Sequence, residues 1–214
     1  MRKTIILTVL TAVVLLLQGC MADSKFDTPY RNYSWYVYDE NGEMISEPYE
    51  SGTENRYGHI LSFTGSDNMK YTYTYSDYNK ENMPERCVVN GENPEDGTPV
   101  TYYYRFEYDG RVTRTLMFTS DDELYQIHFG ERDENGDVIR DRVYFYSDYS
   151  SDHIIVIDRT WENIYEKGKV KTVNISADNY VLDHFDLEKA EWDDELPSDC
   201  RVSGSLAKKE LEYL

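Results

Sequence analysis

One run of ten residues constrains this chain more than any other: Met69–Tyr78, MKYTYTYSDY. Tyr71, Tyr73 and Tyr75 fall at every second position, with Thr72 and Thr74 between them. A period of two sends successive side chains to opposite faces of a strand, whereas a helix would scatter them. The segment is therefore a β-strand with one aromatic and one hydroxylic face. Tyrosine suits such a place, because its ring packs while its hydroxyl stays hydrated. The chain holds 21 Tyr against 7 Phe and 3 Trp, so the same device is used along its length.

Val100–Phe118, VTYYYRFEYDGRVTRTLMF, reads as a hairpin folded at Asp109–Gly110. A two-residue Asp109–Gly110 loop would oppose Arg105 to Arg114 and put Val112, Leu116 and Phe118 on the face of Arg105 and Glu107. A three-residue loop, with Gly110 in the left-handed region, faces Glu107 with Arg111. It also gathers Val100, Tyr102, Tyr104 and Phe106 with Val112, Leu116 and Phe118. The three-residue loop is the expectation. Asp39-Glu40-Asn41-Gly42 and Asp133-Glu134-Asn135-Gly136 read as four-residue loops, facing Val37 with Met44 and Arg132 with Asp137. Glu166-Lys167-Gly168 joins Trp161–Tyr165 to Lys169–Ile175, and His153–Asp158 is a further, apolar strand.

Near the C-terminus the pattern changes. Asp186–Leu196 reads as a short helix with Asp186 as N-cap, Leu187, Ala190 and Trp192 partly buried, and Pro197 as its stop. Leu206–Leu214 fits a strand or a short helix equally well. The fold class expected is mainly β: an antiparallel meander of successive β-hairpins, as an open curved sheet or incomplete barrel, with a short helix near the C-terminus.

The N-terminus carries an address. Arg2 and Lys3 precede the apolar run Ile5–Leu17, which has the length of a signal h-region and is short for a membrane-spanning helix of ~20 residues. Leu17-Gln18-Gly19-Cys20 resembles the lipobox of bacterial lipoproteins. The resemblance implies cleavage after residue 19 and a diacylglycerol on the Cys20 thiol. It also implies attachment to the extracytoplasmic side of a cell-envelope membrane. The organisation expected is a signal peptide over 1–19, a flexible tether over 20–31 and a single mostly-β domain over 32–214.

Losing Arg2 and Lys3 with the signal takes the net charge from −19 to −21. Such acidity disfavours nucleic acid and anionic surfaces and favours cations or basic partners. Cys87 and Cys200 are the thiols left after Cys20, and outside the cytoplasm a disulfide between them is permitted. No Cys/His spacing suits a metal, and no cofactor motif appears. Asp133-x-Asn135-x-Asp137 starts like a calcium loop, but Val138 and Tyr144 stand where glycine and a carboxylate are needed, so it is a turn. His59, His128, His153 and His184 are scattered, and no nucleophile elbow or phosphate-cradling glycine loop is present.

Three segments resemble the YD repeats of RHS-type shells: Tyr38-Asp39-Glu40-Asn41-Gly42, Arg132-Asp133-Glu134-Asn135-Gly136 and Tyr108-Asp109-Gly110-Arg111-Val112. The resemblance implies hairpins, not a toxin-enclosing shell. The chain is also similar to tyrosine-rich hairpin lipoproteins of gut-type bacteria. The function expected is a non-enzymatic, lipid-anchored envelope protein. It would bind a protein or carbohydrate through Tyr71, Tyr73, Tyr75, Tyr102 and Tyr104. Two other readings stand beside it: an acidic accessory or immunity-type lipoprotein recognising one basic protein, and a lipocalin-like lipid carrier.

Overall fold

The computed structural model describes residues 26–39, 41–65, 68–146 and 153–214, the side chains of 45–47 excepted. The signal segment, Cys20 and the chain to residue 25 lie outside the described residues. Twelve strands follow one another: β1 (Arg31–Tyr38), β2 (Met44–Glu54), β3 (Ile60–Gly65), β4 (Lys70–Tyr78), β5 (Pro84–Glu92) and β6 (Pro99–Asp109) form the first half. β7 (Val112–Phe118), β8 (Leu124–Arg132), β9 (Val138–Tyr146), β10 (His153–Glu166), β11 (Lys169–Asp183) and β12 (Arg201–Tyr213) form the second. Each pairs antiparallel with its sequence neighbours. β12 also pairs with β1, from Arg31↔Tyr213 to Tyr38↔Leu206. The expected meander is there, but it closes into a barrel with no open edge, so the open sheet and the incomplete barrel are both corrected. Closure removes the row of unpaired backbone groups an edge would present. Leu206–Leu214 supplies most of the closing strand.

Alternation sorts the wall. Tyr71, Tyr73 and Tyr75 face inward, opposite Gly91, Val89 and Cys87, which face Val100, Tyr102 and Tyr104 in turn. Eight strands already enclose a space that side chains can fill, so twelve call for large ones. Tyrosine, tryptophan and arginine supply that volume. The outward positions of β4 are Thr72, Thr74 and Ser76, and those of β12 include Glu210 and Glu212. Such a wall is not the apolar band by which a barrel meets lipid.

One outward region is apolar, and it is covered. Leu116, Ile127, Phe129, Tyr144, Ile154, Val156 and Leu182 form a buried cluster with Leu187 and Ala190 of the segment between β11 and β12. Arg142, 4% exposed, fastens that strap by donating to the carbonyls of Trp192 (3.2 Å) and Asp194 (2.8 Å). The strap explains two departures from expectation. Asp186 does cap, accepting from the Glu188 N–H at 3.2 Å, and Leu187 is buried, but only a 3₁₀ turn over Leu187–Lys189 forms. The expected Asp186–Leu196 helix is absent because the chain must run flat over the sheet. The strap also gives β7 an apolar outer face. The hairpin turns on Gly110–Arg111, pairing Asp109 with Val112 and Glu107 with Arg114 (ion pair 3.1 Å). Val112, Leu116 and Phe118 therefore face away from Tyr104 and Phe106, not with them. Arg111, expected opposite Glu107, reaches Glu134 at 3.1 Å instead.

Six of the other turns share a local code. In Asn55–His59, Asn79–Met83, Thr119–Glu123 and Asp133–Asp137, the first N–H donates to the fifth carbonyl and the fourth N–H to the first carbonyl. The same two bonds link Asp39, Gly42 and Glu43, and Gly65, Asn68 and Met69. The fourth residue always has positive φ, from 64° at Asn68 to 84° at Gly136. Glycine, asparagine and aspartate tolerate that region best. Asp39, Asn55, Asn79 and Asp133 each accept two backbone N–H groups on one side-chain oxygen. These bonds draw the Asp or Asn into the closing pair. Hence Asp133, not Arg132, meets Asp137, and Tyr38, not Val37, meets Met44.

Two other expectations change. The fold begins earlier than residue 32: Phe26 is 1% exposed, and the Tyr30 N–H donates to Glu54 O at 2.8 Å, so Phe26–Tyr30 belong to the barrel rather than to a tether. Cys87 and Cys200 are both free thiols. Cys87 lies on the inner face and Cys200 packs against the outer cluster, so the wall separates them and the disulfide is ruled out. Burial pushes the Cys87 thiol up to about 12.

Candidate functional site: a cationic, tyrosine-lined cleft at the lower rim

The five tyrosines singled out by sequence come together, but not as an exposed platform. All five face inward among touching rings: Tyr73 with Tyr75 (6.3 Å between centroids), Tyr73 with Tyr104 (6.0 Å) and Tyr71 stacked on Phe63 (4.6 Å). Tyr71 and Tyr102 pack against the same inner cluster. Barrel closure turned the aromatic face into a core.

The inner face also carries charge. Glu54, 1% exposed, accepts from Arg31 Nε at 2.8 Å and from Lys209 Nζ. Burial alone would raise its pKa, but Lys209 and Arg31 more than offset that and hold it below the usual carboxylate range. The Tyr33 hydroxyl hydrogen-bonds Glu50, whose pKa is raised chiefly by burial. Higher in the barrel, Asp141 accepts from Trp161 Nε1 (2.6 Å), Arg159 (3.0 Å) and His128 Nε2 (2.9 Å). Burial opposes its ionisation; Arg159, His128 and Trp161 prevail and keep its pKa low.

The lower rim, where the described chain starts and ends, is closed by Phe26, packed on Tyr57, His59, Tyr75 and Tyr78. His59 is held neutral there. Burial, and then Arg132 nearby, depress its pKa to about 3, and its Nε2 has no hydrogen-bond partner. Its unfolded value is near 6.5, so folding favours the neutral form. The stability His59 contributes is complete above about 6.5 and drains as pH falls toward 3, by about 1.4 kcal/mol per unit. Denaturant melts of His59→Phe should therefore lose about 2 kcal/mol less than wild type between pH 6.5 and 5. An identical pH slope in the variant would show that His59 is not held neutral.

Beside this plug lies a cleft of about 530 Å³, within the range of small-molecule sites. Tyr30, Tyr165 and Tyr213 wall it, and Arg31, Arg56, Lys169, Asn135 and Asp137 supply polar groups. Five separate segments contribute: the entry to β1, the 55–59 turn, the 133–137 turn, the β10–β11 hairpin and the last residues of β12. Tyr30 and Tyr213 meet edge to face at 5.3 Å, and Lys169 Nζ stands 4.4 Å from the Tyr213 ring centre, with Arg31 over the same ring at 5.9 Å. The Tyr165 hydroxyl donates to Asp137 at 2.8 Å. The hairpin turn Lys167–Gly168, with φ of 53° and 77°, presents Lys169 at the rim.

Sequence reading missed all of these cleft residues, because no local motif unites them; the contact of β1 with β12 does. The one available signal was a charge on an apolar stripe: Lys209 sits between Ala207 and Leu211 at a spacing of two. No protein-family model, no curated protein and no solved structure matches the chain.

Proposed function

We propose that this chain is a lipid-anchored envelope protein, tethered through Cys20, whose barrel binds a small ligand in the lower-rim cleft without transforming it. The observation that carries the reading is the cleft itself: about 530 Å³, three tyrosine rings and several charged groups at the rim. The ring-filled interior and its ion pairs favour a reading in which binding is at the barrel's end rather than along its axis. The cleft lies ten residues after Cys20, a span of at most about 35 Å of extended chain. A lipid on Cys20 would thus keep the site close to the membrane surface. Two or more acyl chains give lasting attachment where one does not.

The test uses the soluble fragment 21–214, incubated with the small-molecule extract of its own cell envelope and examined by native mass spectrometry. A retained mass is expected, and it should disappear in Tyr213→Ala. No retained mass, or one indifferent to Tyr213→Ala, would refute binding in the cleft. Labelling with radioactive fatty acid tests the anchor separately. Incorporation should vanish in Cys20→Ala, and persistence would defeat the lipobox reading.

A further inference from the structure

The charge around the cleft does not balance. Lys169 and Arg56 line it and make no ion pair to a described residue; each lies over a tyrosine ring instead. Just behind, Arg31 and Lys209 share the single carboxylate of Glu54. Arg132 is half-buried and its guanidinium donates to the Gly136 carbonyl at 2.8 Å. It lies near Arg31: both reach within 3.6 Å of where a β-carbon on Gly58 would stand. Two unpaired cations thus line the cleft, and behind them Arg31, Arg132 and Lys209 are set against Glu54, Glu50 and Asp137, in a protein with 41 acidic and 22 basic residues. Arg31 and Lys209 have their counter-charge in Glu54, whereas Lys169 and Arg56 stand exposed at the mouth of the cleft with no carboxylate paired to them among the described residues.

We propose that the lower-rim cleft is a phosphoryl site: a phosphate group sits against Lys169, Arg56 and Arg31, and an attached polyol or glyceryl body lies on Tyr30 and Tyr213. This rests on the cleft being the binding site. A phosphate monoester carries about −1.5 to −2 charges and three strong acceptor oxygens, which answers two unpaired cations better than one carboxylate does. Arginine donors suit its geometry, and lysine adds a point charge. Asp137 accepts from the Tyr165 hydroxyl at 2.8 Å, so part of its acceptor capacity is already used. The phosphoryl group can belong to a free solute or to a phospholipid headgroup, and the tether would bring the cleft near the second.

Calorimetric titration of fragment 21–214 with glycerol phosphate and with inorganic phosphate tests this, with acetate as the control. Saturable binding of phosphate and glycerol phosphate is expected, and acetate should bind at least tenfold more weakly. Lys169→Met and Arg56→Met should each weaken phosphate binding tenfold or more. Both residues lie at the rim, so the melting temperature in phosphate-free buffer should hold. Sedimentation with phosphatidylcholine vesicles containing phosphatidylglycerol separates the sources. Binding that Lys169→Met abolishes assigns the site to headgroups, and glycerol phosphate binding without vesicle binding assigns it to a solute. No phosphate binding, or equal affinity in the Arg56→Met/Lys169→Met double variant, would overturn the proposal. An envelope ligand lost with Tyr213→Ala but indifferent to Lys169→Met would also overturn it, while leaving the binding function intact.

Discussion

Replacing Glu54 by alanine should cost the barrel about 3–5 kcal/mol, the usual penalty for stripping a buried charge of its partner. Lys209, 7% exposed, and Arg31 would be left facing each other and Arg132 with no carboxylate between them. For a domain of this size the loss lowers the melting temperature by roughly 2–4 °C per kcal/mol. Lys209→Met should cost less, since Arg31 still holds Glu54 at 2.8 Å. The Glu54→Ala/Lys209→Met double variant should recover part of the loss, because the stranded ammonium has gone. Acid acts on the same pair. Glu54 has a folded pKa below its unfolded one, so its stabilisation is present above about pH 4.3 and lost as pH falls through the folded value. Chemical denaturation of the three variants at pH 7 checks this. A Glu54→Ala cost under about 1 kcal/mol would show that the pair lies in water rather than in a buried floor.

Asp141→Ala should be comparably damaging, about 3–5 kcal/mol, for a different reason. One carboxylate, 1% exposed, anchors three side chains from two strands at once: Trp161 and Arg159 from β10 and His128 from β8. Alanine leaves the indole N–H without an acceptor and Arg159 without a counter-charge, beside the Trp35 ring it overlies at 5.6 Å. Asp141→Asn keeps one acceptor but no charge, and should lose roughly half as much. His128→Ala should cost little, about 1 kcal/mol or less, because that side chain keeps 38% of its surface exposed. Denaturant midpoints in that order, Ala below Asn below the His128 variant, are the expected outcome. Equal midpoints for Asp141→Ala and His128→Ala would place Asp141 outside the load-sharing network.

Much of this architecture was written locally. The alternation in Lys70–Tyr78 needs no tertiary context: tyrosine in, threonine out. Four turns repeat an Asx residue followed three places later by glycine or asparagine, and each ends a strand. What local pattern could not supply was the side of β7 that is buried. Leu116 and Phe118 look as though they belong with Tyr104, and it is the distant strap, Leu187 to Ala190, that covers the apolar outer face they share with Ile127 and Phe129. Closure was illegible for the same reason, since Tyr33 and Leu211 meet across nearly the whole sequence. The cleft inherits that difficulty. Tyr30 and Tyr213 carry no motif and become a site because the ends of the chain are hydrogen-bonded together, down to Leu214 N–H on Tyr30 O at 3.0 Å.

The seam between β1 and β12 is therefore the place to test the account. Ser34 and Glu210 are direct partners on its outer face, and opposed residues of an antiparallel pair stand ~4.5–5.5 Å apart at Cα, within disulfide reach. In Ser34→Cys/Glu210→Cys, mild oxidation of the folded fragment should form that bridge, identified by peptide mapping, and raise the melting temperature. Two new thiols that stay free in the folded protein would mean that the sheet is open at this seam, and that the cleft built across it does not exist.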